Sequence, residues 1–107
     1  MKLIVAIINH DDAGAVTQNL SRNGFSSTRL STTGGFLLAG NVTLLIGVKD
    51  DQVQDVIDLI HKSSHSRKQM VPAFTEMSYG FMPVMPVEVT VGGATVFVLD
   101  VERFERL

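Results

Sequence analysis

The chain has 107 residues, 45% of them apolar, and a net charge of −2, which suits one domain with a modest core. It holds no cysteine, so thiolate catalysis, disulfides and sulfur-ligated metal are excluded. No basic stripe accompanies the acidic balance, which argues against long nucleic acid but leaves room for a small phosphorylated ligand held by backbone N–H groups.

Leu3-Ile4-Val5-Ala6-Ile7-Ile8 is a continuous β-branched run and reads as a buried central strand. It is too short for a signal peptide or a membrane span, so a soluble, cytoplasmic protein is expected. His10-Asp11-Asp12 suits a helix N-terminus. Ala13, Val16 and Leu20 fall on one helical face, and Gly24 stands where a glycine would stop the helix. The Ser- and Thr-rich stretch from Phe25 to Thr33 reads as extended, with Ser26, Thr28 and Leu30 on one face. Small hydroxyls on both of its faces suggest that one face lines something polar.

Next comes Thr32-Thr33-Gly34-Gly35-Phe36-Leu37-Leu38-Ala39-Gly40-Asn41, a glycine-bracketed loop with an apolar tip. Such a tip expects a cover: a core gap, a neighbouring subunit, a ligand, or a combination. The glycines permit close backbone approach and a nest for phosphate, and the Asn41 amide matches an adenine N6/N7 edge. Val42 to Val48 reads as a second buried strand, with Gly47 marking a close approach or a bulge. Asp50 and Asp51 open a second helix, with Val53, Val56, Ile57 and Ile60 on one face, and its pattern fades around Lys62-Ser63-Ser64.

From His65 to Pro86 there is no helical period, and prolines, methionines and aromatics predict a long irregular excursion with short extended pieces. Two alternating runs, Val87–Val91 and Ala94–Leu99, joined by Gly92-Gly93, predict a two-residue hairpin pairing Val91 with Ala94. That pairing puts Phe97 with Glu88, Thr90 and Thr95, as a contact for a subunit or a base. Val101 to Leu107 is expected as a short terminal helix anchored by Phe104. The order strand, helix, strand, strand, helix, strand gives an α+β, ferredoxin-like βαββαβ plan over residues 1–107, with a long excursion before a C-terminal β-hairpin.

Chemistry-bearing clusters are sparse. His61 and His65 have a chelating spacing but no third ligand in a recognised pattern, so no metal is expected. Asp11/Asp12 and Asp50/Asp51 are explained by helix starts. Ser26-Ser27-Thr28 has no base to activate a nucleophile, so no catalytic residue is assigned and no enzyme is expected. His65-Ser66-Arg67-Lys68 is a small basic cluster suited to solvent or to steering an anion.

Together, Thr28-x-Leu30-x-Thr32-Thr33-Gly34-Gly35-Phe36-Leu37-x-Ala39-Gly40-Asn41, Gly47-Val48 and the Val87–Leu99 stretch resemble the PII-like cyclic di-AMP receptors of the PstA/DarA family. The resemblance covers essentially the whole chain. It implies a homotrimer without catalytic activity that binds one cyclic di-AMP per subunit interface, rearranges its loops and meets a protein target. It also implies ligand contacts at Thr28, Gly35, Phe36, Leu37, Asn41, Gly47 and Phe97, all present. The resemblance also implies departures: well-studied members have an asparagine at the position of Gly24 and an arginine at that of Ser26, both touching ligand. Their loss removes hydrogen bonds that, to a charged group, are worth roughly 1.5–3 kcal/mol, or about one to two decades of affinity. Leu38 replaces a commonly basic residue, and Arg106 falls near a C-terminal glutamine contact of the family. The alternative expectation is a PII-like trimeric module that answers to another adenine nucleotide or to none. A phosphate-ester enzyme is the third reading.

Overall fold

The computed structural model is described here for residues 1–30, 40–77 and 80–107, and for residues 71–77, 80–85 and 87 by backbone alone. The elements are β1 (Lys2–Asn9), α1 (His10–Arg22), β2 (Thr28–Leu30), β3 (Asn41–Val48), a 3₁₀ turn (Asp50–Gln52), α2 (Val53–Ser64), β4 (Arg67–Met77), β5 (Gly80–Val91) and β6 (Ala94–Asp100). Four strands form an antiparallel sheet in the order β2-β3-β1-β6, while β4 and β5 form a separate two-stranded ribbon. The fold is ferredoxin-like, with the ribbon inserted between α2 and the last strand.

Each helix is set by local chemistry. The Asn9 side chain accepts from the Asp11 N–H at 2.9 Å and so caps α1. At the other end Gly24 takes φ +84. Its N–H donates to the Ser21 carbonyl at 3.0 Å and the Phe25 N–H to the Leu20 carbonyl at 2.9 Å. That pair of bonds is a Schellman stop, and Phe25 folds back on the core beside it. The 3₁₀ turn before α2 is closed by the Lys49 N–H donating to Gln52 Oε1 at 3.0 Å.

Ala13, Val16 and Leu20 of α1 and Val56 and Ile60 of α2 pack on one face of the sheet. That face presents Ile4, Ala6 and Ile8 from β1 and Val42, Leu44, Ile46 and Val48 from β3, all buried. Their alternation puts every second residue in the core.

Three sequence expectations are corrected. The Gly92-Gly93 pair does not turn a hairpin: Val91 pairs with Arg67, and Ala94 pairs with Ile8. β1 lies inside the sheet and needs a partner on each edge, so β6 docks on β1 and leaves β5 to β4. The excursion after α2 is a long ribbon rather than irregular chain. Its register shifts after Val71, with Pro72 on one strand and Pro86 on the other falling in the irregularity. Proline has no N–H for a ladder, so it is tolerated at such a bulge. Finally, residues 101–107 form no helix, and Phe104 is exposed.

Candidate functional site: the open face of the sheet

The face opposite the helices carries Leu3, Val5 and Ile7 of β1, Thr43, Leu45 and Gly47 of β3, Thr28 and Leu30 of β2, and Thr95, Phe97 and Leu99 of β6. Cross-strand pairing arranges these in rows. Thr28, Leu45, Val5 and Phe97 stand side by side across all four strands. Leu30, Thr43, Ile7 and Thr95 make the next row, and Gly47, Leu3 and Leu99 make another. No helix among the described residues covers this face: Phe97 is 52% exposed, Leu99 49% and Leu30 39%. β1 is therefore apolar on both sides but packed by helices on one only. A continuous apolar strand of this kind normally has both faces covered.

Four of the seven expected ligand residues, Thr28, Asn41, Gly47 and Phe97, lie on this one face. Gly35, Phe36 and Leu37 lie outside the described residues. Asn41 opposes Asn9 at one end of the face. A hollow of about 330 Å³ opens there, lined by Ile7, Asn9, Asn41, Gly92, Gly93 and Thr95. Three connections converge on this end. The β1–α1 junction and the start of β3 are tied by the His10 N–H donating to the Gly40 carbonyl at 2.5 Å, and the ribbon rejoins the sheet through Gly92-Gly93.

Gly47 lies at the other end of β3. Its pairing with Leu3 is regular, so it marks a close approach and not a bulge: a Cβ there would stand 3.1 Å from Met1 Cε. Gly47 stands six positions beyond Asn41 along the strand, roughly 20 Å at about 3.4 Å per residue.

Gly24 and Ser26, both exposed, border a second hollow of about 450 Å³ with Thr17, Ser21, Phe25 and Ser27. Nothing lies within 4 Å of a Cβ built on Gly24. Sequence reading missed Asn9, Gly92, Gly93 and Leu99. A two-faced apolar β1 signalled Leu99, because the strand that pairs with β1 extends its open face. Nothing local signalled Gly92-Gly93, whose role depends on which strand β6 joins. Among the described residues no three His, Asp or Glu side chains converge as a metal site, and no helix is long and apolar enough to cross a membrane.

The architecture is thus an α+β ferredoxin-like sheet whose face opposite the helices is apolar, with a two-stranded ribbon inserted before its last strand. The chain matches the family described as "Cyclic-di-AMP receptor" over residues 1–107 and belongs to that family. A crystal structure of a functionally unknown protein from Pediococcus pentosaceus ATCC 25745 is similar at 40% identity and a TM-score of 0.74. The match covers 99% of this chain and 96% of that one.

Proposed function

We propose that this chain binds cyclic di-AMP between subunits of a homotrimer and regulates a protein target by changing the posture of its ribbon and loops. The observation that carries this reading is the open face itself, which brings Thr28, Asn41, Gly47 and Phe97 to one uncovered apolar surface. Leaving such a face in water forgoes about 25 cal/mol per Å² of apolar area, and a second copy of the chain supplies the missing cover. Family membership favours cyclic di-AMP as the ligand and binding rather than turnover as the activity.

In this reading Asn41 takes the hydrogen-bonding edge of an adenine, giving and receiving one bond each. Phe97 provides an apolar wall for a base, and Thr28 a hydroxyl. Gly35, Phe36 and Leu37 are further ligand contacts, in the part of the sequence between Leu30 and Gly40. The separation of Asn41 and Gly47 suits a ligand with two bases, or one shared between two copies.

A second reading keeps the architecture and changes the ligand to another adenine nucleotide or none. Gly24 and Ser26 favour it, because they supply neither the amide nor the guanidinium expected there. Calorimetric titration with cyclic di-AMP, against cyclic di-GMP, AMP and ATP, decides between the two. Selective saturation near one ligand per chain, lost in Asn41→Ala and weakened in Phe97→Ala, supports the first. A folded trimer that gives no heat with cyclic di-AMP supports the second.

A further inference from the structure

The ribbon is joined to the four-stranded sheet by no ladder, and a two-stranded ribbon has little of its own to fix its direction. Its root is nevertheless fastened. Arg67 begins β4 and pairs with Val91 at the end of β5, so it stands across the root. Its guanidinium reaches back to α1, with Nη1 at 3.2 Å from Asp12 Oδ2 and Nη2 at 3.2 Å from Asp12 Oδ1. Nη1 also donates to the His65 carbonyl at 3.4 Å. Asp12 is only 8% exposed, although acids in a first helical turn ordinarily face water. Among the described residues this is the one salt bridge from the ribbon to another element.

Gly92 lets the guanidinium through. A Cβ there would collide with Arg67 Nη1 and stand 2.9 Å from the His65 carbonyl oxygen and 3.1 Å from Asp12 Oδ2. Gly92 and Gly93 take φ +75 and +82 and redirect the chain into β6. The same two glycines line the hollow that holds Asn9 and Asn41. The joint therefore has the ion pair on one side and the expected ligand site on the other.

We propose that the Asp12–Arg67 pair is a latch that sets the posture of the β4–β5 ribbon, and that a ligand at Asn41 acts on the ribbon through the latched Gly92-Gly93 joint. The second half rests on the reading of Asn41 as a ligand residue. Coupling of this kind is reciprocal: if the ligand biases the ribbon, releasing the latch changes ligand affinity by the same factor.

With no native cysteine in the way, Gln18→Cys on α1 and Thr75→Cys on the ribbon take a pair of spin labels. Their distance distribution is read by pulsed electron resonance on labelled chain diluted into unlabelled. The latch predicts a narrow distribution in the parent and a clearly broader one in Arg67→Gln and Asp12→Asn, each checked for folding by circular dichroism. The conservative Arg67→Lys, which keeps the charge but not the two-point fork, falls between them. Saturating cyclic di-AMP shifts the distribution in the parent but not in Arg67→Gln, and its affinity for Arg67→Gln differs from that of the parent by about fivefold or more. Equal widths in the unliganded parent and a folded Arg67→Gln overturn the latch. If the parent binds no cyclic di-AMP, the ligand reading fails and those widths still decide the latch. Equal ligand-induced shifts in both chains overturn the coupling.

Discussion

Val5 and Phe97 stand directly opposite one another on β1 and β6, on the side of the sheet facing away from α1 and α2. Val5 is half-buried by its strand neighbours, whereas Phe97 leaves half its surface in water. Their row continues through Leu45 to Thr28, so an apolar stripe crosses the whole sheet and ends on a hydroxyl. The stripe is where this account puts both subunit contact and ligand.

Val5→Glu puts a charge in the centre of the stripe without touching the helix-side core. We expect the chain to stay folded and to lose its assembly, because an unpaired charge is not tolerated inside an apolar interface. Light scattering reads the outcome as a fall from trimer to monomer mass. An unchanged mass places the interface elsewhere.

Phe97→Ala leaves the sheet intact but removes an aromatic wall. Full burial of such a side chain by a ligand is worth about 1.5–3 kcal/mol, so cyclic di-AMP affinity is expected to fall roughly tenfold to a hundredfold. Calorimetry that finds the same affinity in the variant removes Phe97 from the site.

Gly24→Asn combined with Ser26→Arg supplies the two polar side chains that the resemblance leads us to expect at these positions. Gly24 has φ +84 and open space around it, and asparagine is among the side chains best able to adopt that conformation. The double variant is expected to bind cyclic di-AMP about tenfold or more tightly than the parent, with the gain concentrated in slower dissociation. No change in affinity would put the second hollow outside the binding region.

The glycines separate into two kinds. Gly92→Ala meets both a strained φ and the Arg67 guanidinium. It is expected to cost roughly 1–3 kcal/mol, a lowering of the melting midpoint by about 4–8 °C per kcal/mol. Gly14→Ala lies inside α1 with nothing within 4 Å of the added carbon, and is expected to stabilise by about 0.4–1 kcal/mol. Thermal unfolding of the two variants side by side checks the contrast. A neutral Gly92→Ala would contradict the described joint.

Gly24 and Gly92 also mark where the sequence was legible and where it was not. Gly24 acts within one turn of its own helix, so spacing alone identified it as a stop. The continuous apolar run of β1 and the apolar stretch of β3 likewise identified two buried strands, because burial leaves its composition in the chain. Gly92-Gly93 carries the local signature of a hairpin, yet its fate depends on the free edge of β1, some 85 residues earlier in the sequence. The prolines of the ribbon misled for a similar reason. Pro72 and Pro86 look like breaks, but in a two-stranded ribbon they sit at a bulge. Of the site, Asn41, Gly47 and Phe97 stood out by residue type, whereas their common face emerged only from the pairing of four strands.

Alkaline pH tests the edge where Lys2 faces Asp100. The hydrogen bond to the Asp100 carboxylate raises the Lys2 ammonium above its ordinary value of 10.5. The folded chain then holds that proton more tightly than the unfolded chain. The contribution is fully present below the unfolded value and fades as pH rises through the folded one. Asp100→Asn is expected to remove this alkaline dependence and to lower stability at neutral pH by the same small amount, small because Asp100 is exposed and Lys2 partly so. Urea unfolding of parent and variant across that range reads the difference. Parallel curves would show that the pair contributes nothing.

Native mass spectrometry with cyclic di-AMP is the most direct test of the central claim, because it counts chains and ligands in the same particle. The account predicts a trimer that takes up three ligands, and an unliganded monomer for Val5→Glu. A monomer that binds cyclic di-AMP as tightly as the parent would contradict a site built between subunits on the open face.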